Sequence, residues 1–410
     1  MAGRRHRLGT QALLRDHLTV ADDLHRFAFP TSIVFGAGAR REVARHLLAA
    51  GCKRPLVVTD RGLAALPVFA GFLRELTGVA HAVFSGVQGN PVRSQVMAGA
   101  QAYRAHDADS IVGIGGGAAL DVAKAIAVMA THPGDILDYA WDHPQVRPIT
   151  QPLPWVVAVP TTAGTGSEVG RSSVIGDDVT HVKKIVFSPA LLAKVVFADP
   201  ELTLDLPAAI TAATGMDALT HNVESYLSPA WHPLCDGIAV EGVRIAARAL
   251  PVAVKHGHDL AARGDMLMCS MMGAIAFQKD LGAVHSCAHA LSTVADLHHG
   301  LANGIMIDHV MRFNLPVAAA KLAELARVAA VPGGDRGSDE ARAHAFVAWL
   351  ARLKQDLGIP ATLSACDAAR RISVDDIARL TEIAVADICH KTNPRPCTAE
   401  DFRQIFAAAM

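Results

Sequence analysis

The strand pattern of this chain stops about halfway along its length, and that change constrains the fold more than any other feature. Short Val/Ile-rich runs alternate with helical stretches up to about residue 200, at residues 55–58, 81–84, 110–113, 155–159 and 194–197. This alternation is typical of a parallel sheet covered by helices. Long Ala/Leu/Val-rich periodic segments then replace the strands. We therefore predict an α/β domain over residues 30–205 and an all-helical domain over residues 206–410, preceded by an extension of residues 1–29.

Acidic and imidazole side chains in the second half predict a divalent-metal site. Asp217 and His221 stand four apart in an Ala/Leu-rich stretch, so both side chains leave one helical face. His285 and His289 repeat this spacing among apolar and small residues, where an imidazole otherwise lacks hydrogen-bond partners. One carboxylate with imidazoles suits Fe(II), Zn(II) or Mn(II) better than Ca(II) or Mg(II), which prefer oxygen ligands.

Spacing alone leaves open which three histidines share an ion with Asp217. One continuous helix from His285 to His299 would separate these two residues by about 21 Å, at about 1.5 Å per residue. They can share an ion only if the helix ends between them. For Asp217 and His221 the alternative is a surface pair, which is common four residues apart in helices.

A triple glycine predicts a phosphate-binding turn in the first half. An apolar run enters Gly115, Gly116 and Gly117, and an Ala-rich helical stretch follows. Glycines let backbone N–H groups approach a pyrophosphate closely, and a helix N-terminus favours the anion. The run lacks the Gly-x-Gly-x-x-Gly pattern of the usual dinucleotide fingerprint, so a turn made only for close packing is the alternative.

A second polar turn follows the apolar run at residues 155–159. It contains Thr161, Thr162 and Thr165. Their hydroxyls and free backbone N–H groups are suited to complete a dinucleotide cleft.

Together these motifs resemble the iron-containing (group III) alcohol dehydrogenase family. The resemblance rests on the triple glycine followed by Asp121 and Lys124, on Pro-Thr-Thr-Ala-Gly-Thr at 160–165, on Thr-Gly-x-Asp-Ala-Leu-Thr-His-x-x-Glu at 214–224, and on spaced histidines ending in His299-Gly300. The motifs stand in the family's order over nearly the whole chain, from residue 30 to residue 395. The resemblance implies a Rossmann-like, dehydroquinate synthase-like fold for the first domain. Because the metal residues all come from the second domain and the glycine and threonine turns from the first, we expect the active site in the cleft between the two domains.

The resemblance also implies a role for each matched residue. Asp217, His221, His285 and His299 match the family's metal ligands. His289 matches a histidine near the nicotinamide and substrate that does not bind the metal. The cofactor-lining positions are Asp60, Asn90, Gly116, Gly117, Asp121, Thr161, Thr162, Thr165 and Lys183. For Lys183, the adjacent Lys184 is the alternative.

Asp60 bears on the choice of cofactor. It closes the predicted strand at residues 54–60, where similar proteins use an acidic residue to accept hydrogen bonds from the adenosine ribose. Its charge would repel a 2′-phosphate, which favours NAD over NADP. The alternative is an aspartate that only caps a helix or turn.

The activity implied is that of an NAD-dependent alcohol dehydrogenase or aldehyde reductase with bound Fe(II), Zn(II) or another divalent ion. Such an ion acts as a Lewis acid on the alcohol or carbonyl oxygen while hydride moves between substrate and nicotinamide. His289 is the candidate proton relay because an imidazole ordinarily titrates near neutrality, with a packing role as the alternative. Lys279 lies near the expected substrate end, where it would bind an acidic substrate or be solvated. The sequence leaves the substrate open among small alcohols, diols and hydroxyacids.

The amino-acid composition limits which binding partners and which cellular location we expect for this protein. A formal net charge of −1, without a basic cluster interleaved with aromatics, argues against nucleic acid. Seven cysteines without a Cys-x-x-Cys pair indicate a reducing compartment, so a cytoplasmic location is expected. We find no secretory signal and no apolar run of about eighteen residues, and so expect no membrane association. The family resemblance favours a homodimer or larger homo-oligomer.

Three other functions fit parts of the pattern. Two belong to the same superfamily, a hydroxyacid–oxoacid transhydrogenase and a maleylacetate reductase-like enzyme. The full set of four metal-ligand residues argues against the second of these. The third is a catalytically silent protein that binds nucleotide or metal, which predicts NADH binding without turnover of any alcohol.

Overall fold

A six-stranded parallel sheet forms the centre of the first half of the molecule in the computed structural model, which describes residues 29, 31–180, 182–366 and 372–410. The strands of this sheet are β1 (Ser32–Phe35), β2 (Pro55–Asp60), β3 (Ala82–Val87), β4 (Ser110–Gly115), β5 (Trp155–Pro160) and β8 (Val195–Ala198). Their order across the sheet is β1-β8-β5-β4-β2-β3. The parallel α/β prediction is confirmed; β1 was not predicted. Apart from Phe29, the predicted extension lies outside the described residues.

Helices cover both faces of this sheet. They are α1 (Val43–Ala49), α2 (Arg61–Ala64), α3 (Pro67–Glu75), α4 (Arg93–Ala105) and α5 (Gly117–Thr131). Val57 on β2 packs with Leu47 of α1 and Phe72 of α3, whereas its neighbours Leu56 and Val58 belong to the core formed with α4 and α5. Successive side chains thus enter opposite cores, which explains why the strand is an unbroken apolar run.

The hairpin of β6 (Ser172–Gly176) and β7 (Lys183–Phe187) lies outside the sheet and was not predicted. Two contacts tie it to α5: Ser173 Oγ donates to the Asp121 carbonyl at 2.8 Å, and Val174 N donates to Asp121 Oδ2 at 3.0 Å. Its short strands include polar residues and lack a strong two-residue alternation. Tertiary hydrogen bonds therefore stabilise it more than local propensity does.

The second half is helical, as predicted, with no strand after β8 in the described ranges. Its helices are α6 (Ala208–Leu227), α7 (Pro233–Lys255), α8 (Leu260–Ala276), α9 (Ala283–Ala295), α10 (His299–Val328), α11 (Asp339–Asp356), α12 (Ile377–Ala386) and α13 (Ala399–Ala409). The domain boundary at residues 205/206 stays a prediction.

Helix α8 holds the two halves together. Its Leu267 and Met271 belong to the core under the sheet, whereas Met266 and Cys269 belong to the core of the helical half. Residues 260–279 are long and apolar enough to cross a membrane, but 61% of this stretch is buried inside the protein. We therefore interpret α8 as a core helix that packs against both halves.

Candidate metal site and dinucleotide cleft

Three imidazoles converge on one carboxylate oxygen in the helical half. Asp217 Oδ1 lies 3.8 Å from His221 Nε2, 3.8 Å from His285 Nε2 and 3.6 Å from His299 Nε2. Metal bonds of about 2.0 to 2.2 Å place tetrahedral ligand atoms about 3.3 to 3.6 Å apart. Asp217, His221 and His285 offer ligand atoms that all lie within 4.8 Å of one another, so these three residues fit a divalent ion of the Fe(II) or Zn(II) type, and His299 adjoins them at Asp217. A metal-ligand role for all four residues together stays a prediction.

A helix break brings His299 to this cluster. Helix α9 carries His285 and ends at Ala295; α10 begins at His299 itself. Asp296 between them has a left-handed backbone, with φ of 50°. His298, the residue just before α10, caps this helix by accepting a hydrogen bond from Leu301 N. The helix therefore ends between His285 and His299, as a shared ion requires. His298 caps α10 and is not one of the predicted metal ligands.

Two further polar side chains hold the ligand atoms in place. Buried Glu224 accepts from His285 Nδ1 at 2.6 Å and from Val284 N at 2.7 Å, so the His285 proton is on Nδ1 and the Nε2 lone pair faces Asp217. Asn303, one turn after His299, donates to Asp217 Oδ1 at 2.7 Å. Its amide nitrogen also lies within 3.3 Å of His285 Nε2 and 3.2 Å of His299 Nε2. The family motif contained Glu224, but its partner lies sixty-one residues away in sequence.

Burial keeps two of the imidazoles in the neutral form that binds metals. It lowers the pKa of His221 to about 4 and the pKa of His299 well below its ordinary value. For His285, burial acts in the same direction, but the hydrogen bond and charge of Glu224 outweigh it and raise the pKa. A raised pKa favours a second proton on His285 Nε2, and a metal ion would have to displace that proton to bind there.

His289 lies beside the cluster and has its own carboxylate. Its ring stacks on His299 with centroids 5.3 Å apart, and its Nδ1 donates to Asp387 Oδ2 at 2.7 Å. Asp387 Oδ1 accepts from Ser286 Oγ and from Cys389 N, each at 2.8 Å. Burial tends to raise the Asp387 pKa, but His289 and these hydrogen bonds lower it overall, so the group is an anion at neutral pH. Sequence reasoning missed Asp387, because it lies ninety-eight residues from His289.

The two polar turns of the first half pack against each other. Gly115 has a φ of +146°, and a β-carbon there would lie 2.8 Å from Ala119. A β-carbon on Gly116 would lie 3.3 Å from Thr162 Oγ1, and one on Gly117 would lie 2.6 Å from Thr165 Oγ1. Glycine is therefore required where the threonine turn approaches. Gly117 is also the first residue of α5, so the turn combines free N–H groups with a helix N-terminus.

The second of these turns also reaches the helical half. A β-carbon on Gly164 would lie 2.8 Å from Cβ of Thr214, which is three residues before Asp217 on α6. The threonine turn and the carboxylate–imidazole cluster are thus neighbours across the cleft. Thr161 is buried, and its backbone N–H donates to the Gly115 carbonyl at 3.0 Å.

Two carboxylates assigned to the cofactor have protein partners. Asp60 caps α2 by accepting from Leu63 N at 2.8 Å through Oδ1, while its Oδ2 lies beside Gly115. One oxygen thus caps the helix, as the alternative interpretation expected, and the other faces the glycine turn. Asp121 accepts from Ser167 Oγ at 2.5 Å and from Val174 N. A cofactor-lining role for both stays a prediction.

Asn90 and Lys183 lie at the rim and the side of the cleft. Asn90 Nδ2 donates to Asp296 Oδ1 at 2.9 Å, which joins the loop after β3 to the break between α9 and α10. Lys183 is charge-coupled to Asp217 and Asp296, and burial lowers its pKa against the pull of these carboxylates. Lys184 points the other way and pairs with Asp142 at 2.6 Å. Of the two lysines, Lys183 is therefore the one that faces the cluster.

Lys279 has neither of the environments expected from the sequence. It is 1% exposed, and its ammonium pairs with Asp236. Its carbonyl accepts from Ser228 Oγ at 2.5 Å. Because the charge is already neutralised inside the protein, Lys279 is neither solvated nor free to bind an acidic substrate.

Comparison with known proteins shows the family. The model of iron-containing alcohol dehydrogenase matches residues 30–200, and that of the C-terminal part of the Fe-containing alcohol dehydrogenase family matches residues 211–410. A 4-hydroxybutyrate dehydrogenase of Cupriavidus necator is 38% identical over 370 residues, which are 88% of this chain and 93% of that protein. A 1,3-propanediol dehydrogenase of Klebsiella pneumoniae is 38% identical over 391 residues, 93% of this chain and 98% of that protein.

A solved structure agrees with these matches. The crystal structure of a 1,3-propanediol oxidoreductase has a TM-score of 0.90 at 36% identity and covers 95% of this chain and 100% of that one. The sheet, the cluster and these matches define an oxidoreductase of the alcohol dehydrogenase class. The chain belongs to the iron-containing alcohol dehydrogenase family.

Proposed function

We propose that this protein is an NAD-linked, metal-dependent dehydrogenase that interconverts small alcohols and their aldehydes, with short diols and hydroxyacids as the preferred substrates. The observation that carries the proposal is the approach of three imidazole Nε2 atoms to within 3.6 to 3.8 Å of Asp217 Oδ1. The 4-hydroxybutyrate and 1,3-propanediol specificities of the relatives support the substrate class.

The metal would be held by Asp217, His221, His285 and His299, with Fe(II) as the first candidate and Zn(II) as the second. When bound, it supplies a Lewis acid that polarises an alcohol or carbonyl oxygen. Glu224 fixes the tautomer of His285, and Asn303 orients Asp217. Such supporting contacts hold ligand atoms ready for the ion, so little reorganisation is needed on binding.

His289 is the proposed proton acceptor for the alcohol hydroxyl. Because Nδ1 donates to Asp387, Nε2 is the unprotonated nitrogen and is available to take a proton. The Asp387 anion stabilises the imidazolium that forms. His289 is 17% exposed, so the proton has a route from the ring to solvent. Asp387 is thus a positioning residue that acts through His289.

The cofactor is proposed to lie along the two turns of the first half. Gly116, Gly117, Thr161, Thr162 and Thr165 would supply backbone and hydroxyl contacts, with Asn90, Asp121 and Lys183 around them. The free Oδ2 of Asp60 would accept from the adenosine ribose, and its charge would reject a 2′-phosphate. Beyond the cofactor, a cytoplasmic location and a homo-oligomeric assembly stay predictions.

The test is NADH formation across C2 to C6 alcohols, diols and hydroxyacids with as-purified, chelator-treated and Fe(II)- or Zn(II)-reconstituted protein. We expect activity on the short diols or hydroxyacids that chelator abolishes and metal restores. An oxoacid is added without free NAD in a parallel series, because turnover there would instead identify a transhydrogenase. NADH binding without turnover in any metal state would leave a silent binding protein.

A further inference from the structure

We propose that His289, Asp387 and Cys389 form a second metal site, separate from the Asp217 cluster, and that Zn(II) bound there inhibits the enzyme. The three side chains each offer one ligand atom, and these atoms all lie within 4.8 Å of one another. None of them is shared with the Asp217 set. The two groups lie side by side, because the His289 and His299 rings stack at 5.3 Å.

The geometry needs little adjustment to hold an ion. Zinc bonds of about 2.0 to 2.3 Å place tetrahedral ligand atoms about 3.3 to 3.8 Å apart. His289 Nδ1 and Asp387 Oδ2, now 2.7 Å apart, must separate by about an ångström, while the other ligand atoms, which all lie within 4.8 Å of one another, need shifts of no more than about an ångström or so. Ser286 Oγ and the backbone N–H of Cys389 anchor the other Asp387 oxygen, so the carboxylate is preoriented. A water molecule would complete four ligands, as in other open zinc sites.

The donor set selects the ion. Thiolate with imidazole and carboxylate suits Zn(II) and is unsuited to Mg(II) or Ca(II), which prefer oxygen. His289 and Asp387 are partly exposed, at 17% and 16%, so an ion in solvent can reach them. The Asp217 cluster contains no sulfur ligand, and this distinguishes it from the second site.

Binding has a defined proton balance. Burial and the neighbouring Asp387 raise the Cys389 pKa well above its ordinary value, so the thiol is protonated until an ion displaces that proton to solvent. When the ion takes His289 Nδ1, the ring proton moves to Nε2 and the imidazole stays neutral. One proton is therefore released for each ion bound.

We expect a bound ion to inhibit the enzyme because it would change the hydrogen bonding and the protonation of His289. It would break the His289 Nδ1–Asp387 hydrogen bond and place a proton on Nε2, the nitrogen proposed to accept the proton of the alcohol. This consequence rests on the proposed function, whereas the existence of the site does not. Occupancy and inhibition are therefore tested by separate measurements.

The test of occupancy is a Co(II) titration of metal-free protein followed by absorption. We expect a sulfur-to-cobalt charge-transfer band in the near ultraviolet, because only the second site contains a thiol. Cys389→Ser and His289→Gln should both lose this band and still bind cobalt at the Asp217 cluster. Cys397→Ser is the matched control, since Cys397 is a partly buried thiol outside the group, and it should keep the band. A band that is absent from the unsubstituted protein, or that survives Cys389→Ser, overturns the proposal.

The test of inhibition adds Zn(II) to Fe(II)-loaded enzyme while iron content is measured. We expect loss of activity with iron retained, and at least a tenfold higher Zn(II) requirement in Cys389→Ser, since loss even of a residue that only supports a metal ligand costs about 10- to 100-fold in affinity. Inhibition that tracks iron release, or that is unchanged in Cys389→Ser, contradicts an inhibitory role. If no alcohol is oxidised at all, the proposed function fails, while the cobalt band still decides whether the second site exists.

Discussion

The two sides of the cleft are built on different principles. On the helical side, the site consists of side chains, and Asp217, three imidazoles and the supporting Glu224 are held by helices α6, α9 and α10, with His299 alone partly exposed among them. On the sheet side, the surface is mainly backbone, made by glycines and a threonine turn that pack closely. There the charged side chains already have protein partners, as Asp60 and Asp121 show. Changes on the helical side should therefore affect chemistry, and changes on the sheet side should affect cofactor choice and stability.

The largest expected effect is loss of the shared carboxylate. Asp217→Asn removes the anion on which the three imidazoles converge, and we expect kcat/KM to fall by about a thousandfold, since metal polarisation contributes several kcal/mol. Steady-state kinetics and metal content per chain measure this. His298→Asn is the matched control, because it removes an adjacent imidazole but keeps a good helix cap, and it should stay near normal. Equal losses of kcat/KM in Asp217→Asn and His298→Asn would contradict the assignment of Asp217 as a metal ligand.

A smaller effect is expected for Glu224, which contacts the predicted metal ligand His285 and not the metal itself. Glu224→Gln keeps the shape of the side chain but weakens its hold on His285, so metal affinity should drop about 10- to 100-fold. Competition with a chelator of known affinity measures the change. At saturating metal, kcat should recover most of its value. A variant that binds metal normally would show that Glu224 only fills space.

On the sheet side, we expect substitution to change the preference of the enzyme for NAD over NADP. Asp60→Asn keeps the cap on Leu63 N but removes the charge, so we expect the ratio of NAD to NADP kcat/KM to fall by about tenfold. The comparison uses both cofactors with the best alcohol. An unchanged ratio would mean that Asp60 serves only α2, and that cofactor choice lies elsewhere in the cleft.

The smallest effect on activity is expected at Glu168, the buried carboxyl below the threonine turn. Burial raises its pKa to about 7, and its Oε1 has no hydrogen-bond partner in the described part of the chain. Because the folded pKa exceeds the unfolded one, the protonated form stabilises the fold below about pH 4.5, and this stability is lost as the pH rises through about 7. Glu168→Gln should therefore gain roughly 2 to 3 kcal/mol over the unsubstituted protein at pH 8 and almost nothing at pH 4.

Denaturant unfolding at several pH values measures this difference. A gain that does not depend on pH would show that the substitution acts through packing. A loss at pH 8 would show that the carboxylate has a stabilising partner.

The sequence predicted more of the helical side than of its supporting contacts. Residue type and four-residue spacing led to the pairs Asp217/His221 and His285/His289, since helical periodicity is local, and the family resemblance then selected His285 and His299 as ligands. The pairing of His285 with Glu224 and of His289 with Asp387 depends on how distant helices pack, which no local pattern records. Lys279 was misread for the same reason, because Asp236 neutralises it only in the folded chain. The β6–β7 hairpin was missed because its hydrogen bonds to α5 are tertiary.

The central claim is that Asp217, His221, His285 and His299 hold the ion on which alcohol oxidation depends. It is tested most directly by titrating metal-free protein anaerobically with Fe(II) and plotting NAD-linked activity against iron bound per chain. We predict that activity rises in proportion to iron, stops rising at about one ion per chain, and stays absent in Asp217→Asn. Activity in the metal-free protein, or full restoration of activity in Asp217→Asn, would contradict it.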